Sequence, residues 1–187
     1  PQGQRCAQAI AAQSEKLQTL MEALVKSSRL ETGILSLHPV PGPLAPTIER
    51  AVAQYLPKAE ARGIRLTIGQ MEGSACFDPK WTEEALCNLL DNAVKYTPAG
   101  GRVTVEVRPY EMFTAVCVRD TGPGIPEAEQ AKIFGRFYRG PDARQAEGLG
   151  IGLYLTRQIA ASQGGYIRVK SAPGQGSTFS LYLPREA

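Results

Sequence analysis

Apolar residues recur at helical spacing along the first thirty positions. Ile10, Leu17 and Leu24 lie seven apart, with Leu20, Met21 and Leu30 beside them. The pattern predicts one helix over residues 5–31, closed by Glu31-Thr-Gly33, where glycine suits the position after a last turn. A seven-residue period fits a helix that packs against other long helices. Residues 34–45 break the pattern. Prolines and a glycine punctuate Pro39-Val-Pro-Gly-Pro43, which reads as a linker or an irregular edge strand.

From there the period alternates between helix and strand. A helix is predicted over 46–62, ending at Gly63, then a strand over Ile64–Ile68 and a shorter one at Ala75-Cys-Phe77. Pro79–Tyr96 reads as a helix with Asp78 as its N-cap and proline at its first position. Strands near 102–108 and 112–119 form a hairpin. A short helix near 126–134, a polar loop to Gly148, a helix over Leu149–Ser162, and strands near 166–171 and 177–183 complete the chain. Hairpin-paired strands with helices to cover one face predict an α+β fold, a two-layer sandwich. Two parts are expected: residues 1–33 as a helical appendage and 34–187 as one domain.

Composition narrows the function classes. The chain has 187 residues, 43% of them hydrophobic, and a net charge of only +3. That balance calls for neither a nucleic acid nor an anionic membrane surface as partner. Cys6, Cys76, Cys87 and Cys117 form no C-x-x-C pair, and the lone His38 offers no metal cluster. Three cysteines lie in apolar stretches and read as core thiols of a reducing compartment. No signal peptide or long apolar run is present. The abrupt start, without Met and leading straight into a helix, reads as an excised fragment.

The chemistry concentrates in one helix and three glycine clusters. On Asn88-Leu-Leu-Asp-Asn92-Ala-Val-Lys95-Tyr96, helical geometry places Asn88, Asn92, Lys95 and Tyr96 on one face, with Leu86, Leu89, Leu90 and Ala93 opposite. A solvated face is usually rich in Glu and Lys, and asparagine is a poor helix former that needs a reason to sit mid-helix. Amide oxygens suit Mg²⁺, and Lys95 can neutralise a phosphate. The competing reading is a polar network that caps neighbouring loops.

Asp120-Thr-Gly122-Pro-Gly124-Ile125 follows a strand. A carboxylate there can accept a hydrogen bond from an exocyclic amine, such as that of adenine, and the glycines would let backbone approach the base. Alone, this motif is most often just a turn. Gly148-Leu149-Gly150-Ile151-Gly152-Leu153 sits where a loop enters a helix, so backbone N–H groups can meet phosphate oxygens. It is neither a dinucleotide fingerprint nor a P-loop. Between them, Ile133-Phe134-Gly-Arg136-Phe-Tyr-Arg139 leads into a loop that reads equally as a ligand-ordered lid or an ordinary mobile segment. Gly174-Gln-Gly176-Ser-Thr178-Phe179 is the third cluster.

In this order the motifs resemble those of the catalytic ATP-binding domain of sensor histidine kinases, in the GHKL superfamily. Asn88–Tyr96 resembles its N box, Asp120–Ile125, Gly148–Leu153 and Gly174–Phe179 its glycine boxes, and Ile133–Arg139 its F box. The resemblance covers roughly residues 34–187. It implies a Bergerat-type ATP-binding fold, a mixed sheet with helices on one face, and the cofactors ATP and Mg²⁺. By position it implies that Asn92 holds the metal with Asn88 assisting, that Lys95 and Arg139 contact phosphates, and that Asp120 reads adenine. Asn88, Lys95 and Arg139 become the catalytic candidates. The implied nucleotide site takes in Tyr96, Gly122, Gly124, Ile125, Phe134, Gly148, Leu149, Gly150, Ile151, Gly152, Leu153 and Thr178.

The helix ending Ser28-Arg-Leu-Glu-Thr-Gly33 resembles the second helix of the family's dimerisation hairpin. The first helix, with its acceptor histidine, is missing. His38 is no substitute, because it precedes Pro39 and is disfavoured from helical conformation. Related hydrolases carry a Glu where Asn88 stands. An amide cannot take a proton, which argues for phosphoryl transfer over hydrolysis. The implied partners are a response regulator receiver domain and a second copy through the hairpin, with no nucleic acid and no membrane contact by this segment. The implied setting is the cytoplasmic part of a membrane-bound kinase. The alternatives are a nucleotide-gated module that sequesters a partner, as anti-sigma proteins do, and a GHKL ATPase.

Overall fold

The computed structural model describes residues 2–32, 36–140 and 150–186. The chain divides into two compact units, Pro1–Ser36 and Leu37–Ala187. The first holds helix α1 (Gln2–Glu31). Ile10 and Leu17 of the seven-residue stripe are exposed, as are Met21 and Val25, whereas Leu24 is half-buried.

The second unit is a two-layer sandwich. Its elements are β1 (Val40–Pro43), α2 (Ala45–Ala61), β2 (Arg65–Ile68), β3 (Ser74–Phe77), α3 (Pro79–Tyr96), β4 (Arg102–Pro109) and β5 (Phe113–Asp120). After these come α4 (Glu127–Gln130), a 3-10 turn (Lys132–Phe134), α5 (Gly152–Ala161), β6 (Tyr166–Ser171) and β7 (Ser177–Pro184). Five strands pair in the order β2-β4-β5-β7-β6. Only β2–β4 is parallel, so the sheet is mixed.

Strand alternation sends one side chain in two toward the helices. Val103, Val105 and Val107 of β4, Val116 and Val118 of β5, and Phe179, Leu181 and Leu183 of β7 are buried there. The core is completed by Leu86, Leu89, Leu90 and Val94 of α3, which packs on β5, by Leu155 and Ile159 of α5, which packs on β7, and by Ile48 and Val52 of α2, which packs on α3. Helix α3 begins where the sequence places it. Asp78 accepts hydrogen bonds from the N–H groups of Lys80 and Trp81, at 3.1 and 3.2 Å, and Pro79 needs no donor partner in the first turn.

The proline-rich stretch is an edge strand. β1 pairs antiparallel with β3, and an edge is where a sheet tolerates residues that cannot donate. The helix expected over 126–134 is two shorter turns. The helix expected from Leu149 begins at Gly152 instead. Gly150 adopts φ +72°, a left-handed conformation that a right-handed helix cannot include.

Candidate nucleotide-binding site

Helix α3 is the floor of the candidate site. Asn88, Asn92, Lys95 and Tyr96 are half-buried along one face, while Leu86, Leu89, Leu90 and Ala93 are buried on the other. The split follows the 3.6-residue period. Lys95 Nζ lies 5.0 Å from the centre of the Tyr96 ring.

Two other segments meet this face at different points. A Cβ on Gly152 would stand 3.4 Å from Asn88 Oδ1, so the first residue of α5 rests on that amide. Eight residues on, a Cβ on Gly122 would stand 3.1 Å from the Tyr96 carbonyl oxygen. The two approaches are about 12 Å apart at 1.5 Å per residue. A ligand lying along α3 would meet the Asp120 loop at one end and the start of α5 at the other.

Asp120 is 6% exposed. Its Oδ1 accepts the N–H of Gly122 at 2.8 Å and that of Ser177 at 3.2 Å. Burial raises its pKa above the ordinary carboxylate value, against the pull of these two hydrogen bonds. Both donors found among the described residues converge on one oxygen, which leaves the other for a donor from outside.

At the other end, α5 has no side-chain cap; its N-cap is Ile151. Its first-turn N–H groups and the positive end of its dipole suit an anion. Among the described residues, Asn88 Nδ2 is buried without a hydrogen-bond partner. A buried donor left unpaired is costly and calls for a partner. An orphaned amide donor, an uncapped helix start and a half-used carboxylate together fit a nucleotide, and the oxygens of the Asn88 and Asn92 amides would suit its metal.

Other sequence candidates fall into place differently. Ile125 donates its N–H to Ser171 Oγ at 2.8 Å. Gly124, at φ +77°, packs against the Ala172 carbonyl, so it serves contact between loops. Phe134 is buried edge-on to Phe179, with centroids 6.4 Å apart, which makes it an anchor for the segment. Arg139 is half-buried. Arg136 stacks on Tyr154, 4.8 Å from the ring centre. Leu153 is half-buried and Ile151 buried at the start of α5. Gly148 and Leu149 lie outside the described residues.

Thr178 is not brought to the site. It pairs with Arg119 and Lys170, on the sheet face away from the helices. Ser177, one residue earlier, pairs with Asp120 and shares its face. A one-residue step along a strand reverses the face, and the sequence alone does not reveal the register. Ser177, Ser171 and Gln130 are the residues that sequence reasoning missed.

His38 is exposed, and its backbone N–H donates to Asp78 Oδ2 at 3.0 Å. Cys76 and Cys117 are buried, whereas Cys87 is only half-buried; all three are free thiols.

The family model described as histidine kinase-, DNA gyrase B-, and HSP90-like ATPase matches residues 77–187. The chain belongs to this ATPase family. Membership brings ATP binding with it, and the match begins at β3 and runs through every glycine cluster.

Among the relatives of this ATPase chain is the adaptive-response sensory kinase SasA of Synechococcus sp. (strain JA-3-3Ab), 36% identical over 92% of this chain and 46% of the relative. The sensor protein kinase PmrB of Pseudomonas aeruginosa is 34% identical over 91% of this chain and 36% of its own length. The chain thus spans half or less of these relatives. Among solved structures, full-length ShkA in complex with AMPPNP superposes with a TM-score of 0.82 at 25% identity, over 94% of this chain and 37% of that one. The mycobacterial sensor histidine kinase MprB gives 0.69 at 28% identity, over 78% and 97%.

Proposed function

We propose that this chain is the ATP-holding catalytic core of a two-component sensor histidine kinase, which transfers the γ-phosphate to a histidine on a helix outside these residues. The orphaned Asn88 amide carries the reading. It sits buried where α5 begins, and it cannot take a proton from water as a carboxylate in that place would. Phosphoryl transfer asks mainly for positioning and charge neutralisation.

Asn92 holds Mg²⁺, with Asn88 assisting. Among the described residues no three His, Cys, Asp or Glu side chains cluster for a metal, so amide, phosphate and water oxygens supply its ligands. Bound Mg²⁺ offsets the charge that gathers on the transferring phosphoryl group. Lys95 and Arg139 contact phosphates, Tyr96 lines the nucleotide, and Asp120 accepts the adenine amine. Gly150 gives the loop before α5 its turn.

The acceptor is not His38, whose backbone is tied to the cap of α3 just ahead of Pro39. In this reading α1 is the second helix of a dimerisation hairpin, residues 1–33, joined to the catalytic domain over 34–187. The phosphohistidine passes its group to an aspartate of a response regulator receiver domain. The parent is a membrane-bound sensor with this segment in the cytoplasm; no described helix is long and apolar enough to cross a membrane. SasA, PmrB and MprB are kinases by name, which favours transfer over partner sequestration or steady ATP hydrolysis.

Incubation with γ-labelled ATP and Mg²⁺ tests the proposal. The chain alone stays unlabelled, and a separately supplied acceptor hairpin from the same parent is labelled on histidine. Stable label on His38, or no transfer to the hairpin by a chain that binds ATP, would overturn it.

A further inference from the structure

Behind the Asp120 loop lies a hydrogen-bond buckle built around Ser171 and Gln130. Ser171 ends β6 and Ser177 begins β7, and the two pair across the sheet. Ser171 Oγ accepts the Ile125 N–H at 2.8 Å, stands 2.8 Å from the Gly176 carbonyl oxygen and lies 3.0 Å from Ser177 Oγ. One hydroxyl has one proton and two lone pairs. Donation to Gly176 and acceptance from Ile125 and Ser177 use all three.

Gln130 closes the same loop from the other side. Its Nε2 donates to the Ile125 carbonyl at 3.0 Å and to the Ser171 carbonyl at 2.9 Å. Both polar groups of the Ile125 backbone are therefore held. Pro123 is held as well, its carbonyl accepting the Gly174 N–H at 2.7 Å. The loops also interlock sterically: Gly124 packs on the Ala172 carbonyl and Gly176 on the Asp120 carbonyl, both at positive φ. The loop from β5 and the turn from β6 to β7 thus form one body.

That body sets the direction of the Asp120 carboxylate. Its two donors come from both halves, Gly122 N–H from the first and Ser177 N–H from the second. We infer that Ser171, backed by Gln130, is a positioning residue for base recognition: it locks the first and third glycine clusters together and so aims the Asp120 carboxylate at the base. The inference rests on the ATP reading above. Neither residue touches the ligand. Their effect is on selectivity, because a carboxylate aimed at the 6-position of the purine meets an amine in adenine and a carbonyl oxygen in guanine, and it discriminates only while its direction is held.

The test is calorimetric titration of the chain with AMP-PNP and with GMP-PNP, each with Mg²⁺, at a temperature where circular dichroism shows every variant folded. Ser171→Ala is expected to weaken AMP-PNP about tenfold and GMP-PNP little, which shrinks the base preference. Ser171→Thr keeps the hydroxyl and should restore it. In an Asp120→Asn background the effect of Ser171→Ala should vanish, since no aimed carboxylate remains. If Ser171→Ala fails to fold, Gln130→Ala is the second variant, with the same loss of preference expected. A Ser171→Ala chain that melts lower but keeps wild-type preference would overturn the inference, as would an equal effect with and without Asp120. A wild-type chain that binds neither nucleotide would overturn the ATP reading itself, and this inference with it.

Discussion

Gly152 opens α5 directly over Asn88, and a side chain there would stand 3.4 Å from the Asn88 amide oxygen. The amide nitrogen beneath is buried without a partner among the described residues. Asn88→Ala removes that orphaned donor, and the free chain should lose little stability, within about 1 kcal/mol, or gain some. The same change should weaken the Mg²⁺ complex of an ATP analogue about tenfold or more. Thermal unfolding and calorimetry on one sample check both halves. A strong loss of stability with unchanged affinity would make Asn88 a structural residue.

Gly124 should tolerate no side chain. At φ +77° its Cβ would run into the Ala172 carbonyl. Left-handed strain plus a backbone clash predicts that Gly124→Ala costs about 2–4 kcal/mol. Urea unfolding should show a lower midpoint at unchanged slope.

Asp120 predicts an opposition between stability and binding. Burial raises its pKa in the folded chain, with hydrogen bonds from Gly122 and Ser177 opposing. A raised pKa contributes stability below the unfolded value of about 3.9, and that contribution is lost as pH rises through the folded value. At neutral pH the charged carboxylate is thus a burden on the free chain. Asp120→Asn should melt above wild type at pH 7, with the gap narrowing as pH falls toward 3. A gap that is constant with pH would refute this assignment.

Cys87 should be a quiet thiol. Burial pushes its pKa up to about 11, aided by the carboxylates of Glu83, Glu84 and Asp91. Its alkylation by iodoacetamide at pH 7 should run on the order of a hundredfold slower than that of an unperturbed thiol. Peptide mapping by mass spectrometry reads the rate.

Much of this was legible in the sequence for physical reasons. The α3 helix announces itself through Asp78-Pro79 and a clean helical period, so its polar face could be read residue by residue. The core strands show through alternation, and the motif order pointed to the family that residues 77–187 match. What failed to show depends on distant partners. Strand register, which decides whether Thr178 or Ser177 faces the site, is set by pairing with Asp120 across the sheet. The start of α5 at Gly152 does not show in the sequence, because the φ of Gly150 is a property of the folded loop. Ser171 and Gln130 left no trace, since Ser171 meets Ile125 across 46 residues of chain.

In the proposed function, Asp120 reads the base of a nucleotide lying along α3. Titration with AMP-PNP and Mg²⁺, wild type against Asp120→Asn, tests it most directly. The structure predicts saturable binding by wild type and affinity at least about tenfold weaker in the variant, the scale of a buried hydrogen bond to a charged group. Equal affinity in two folded proteins would contradict it.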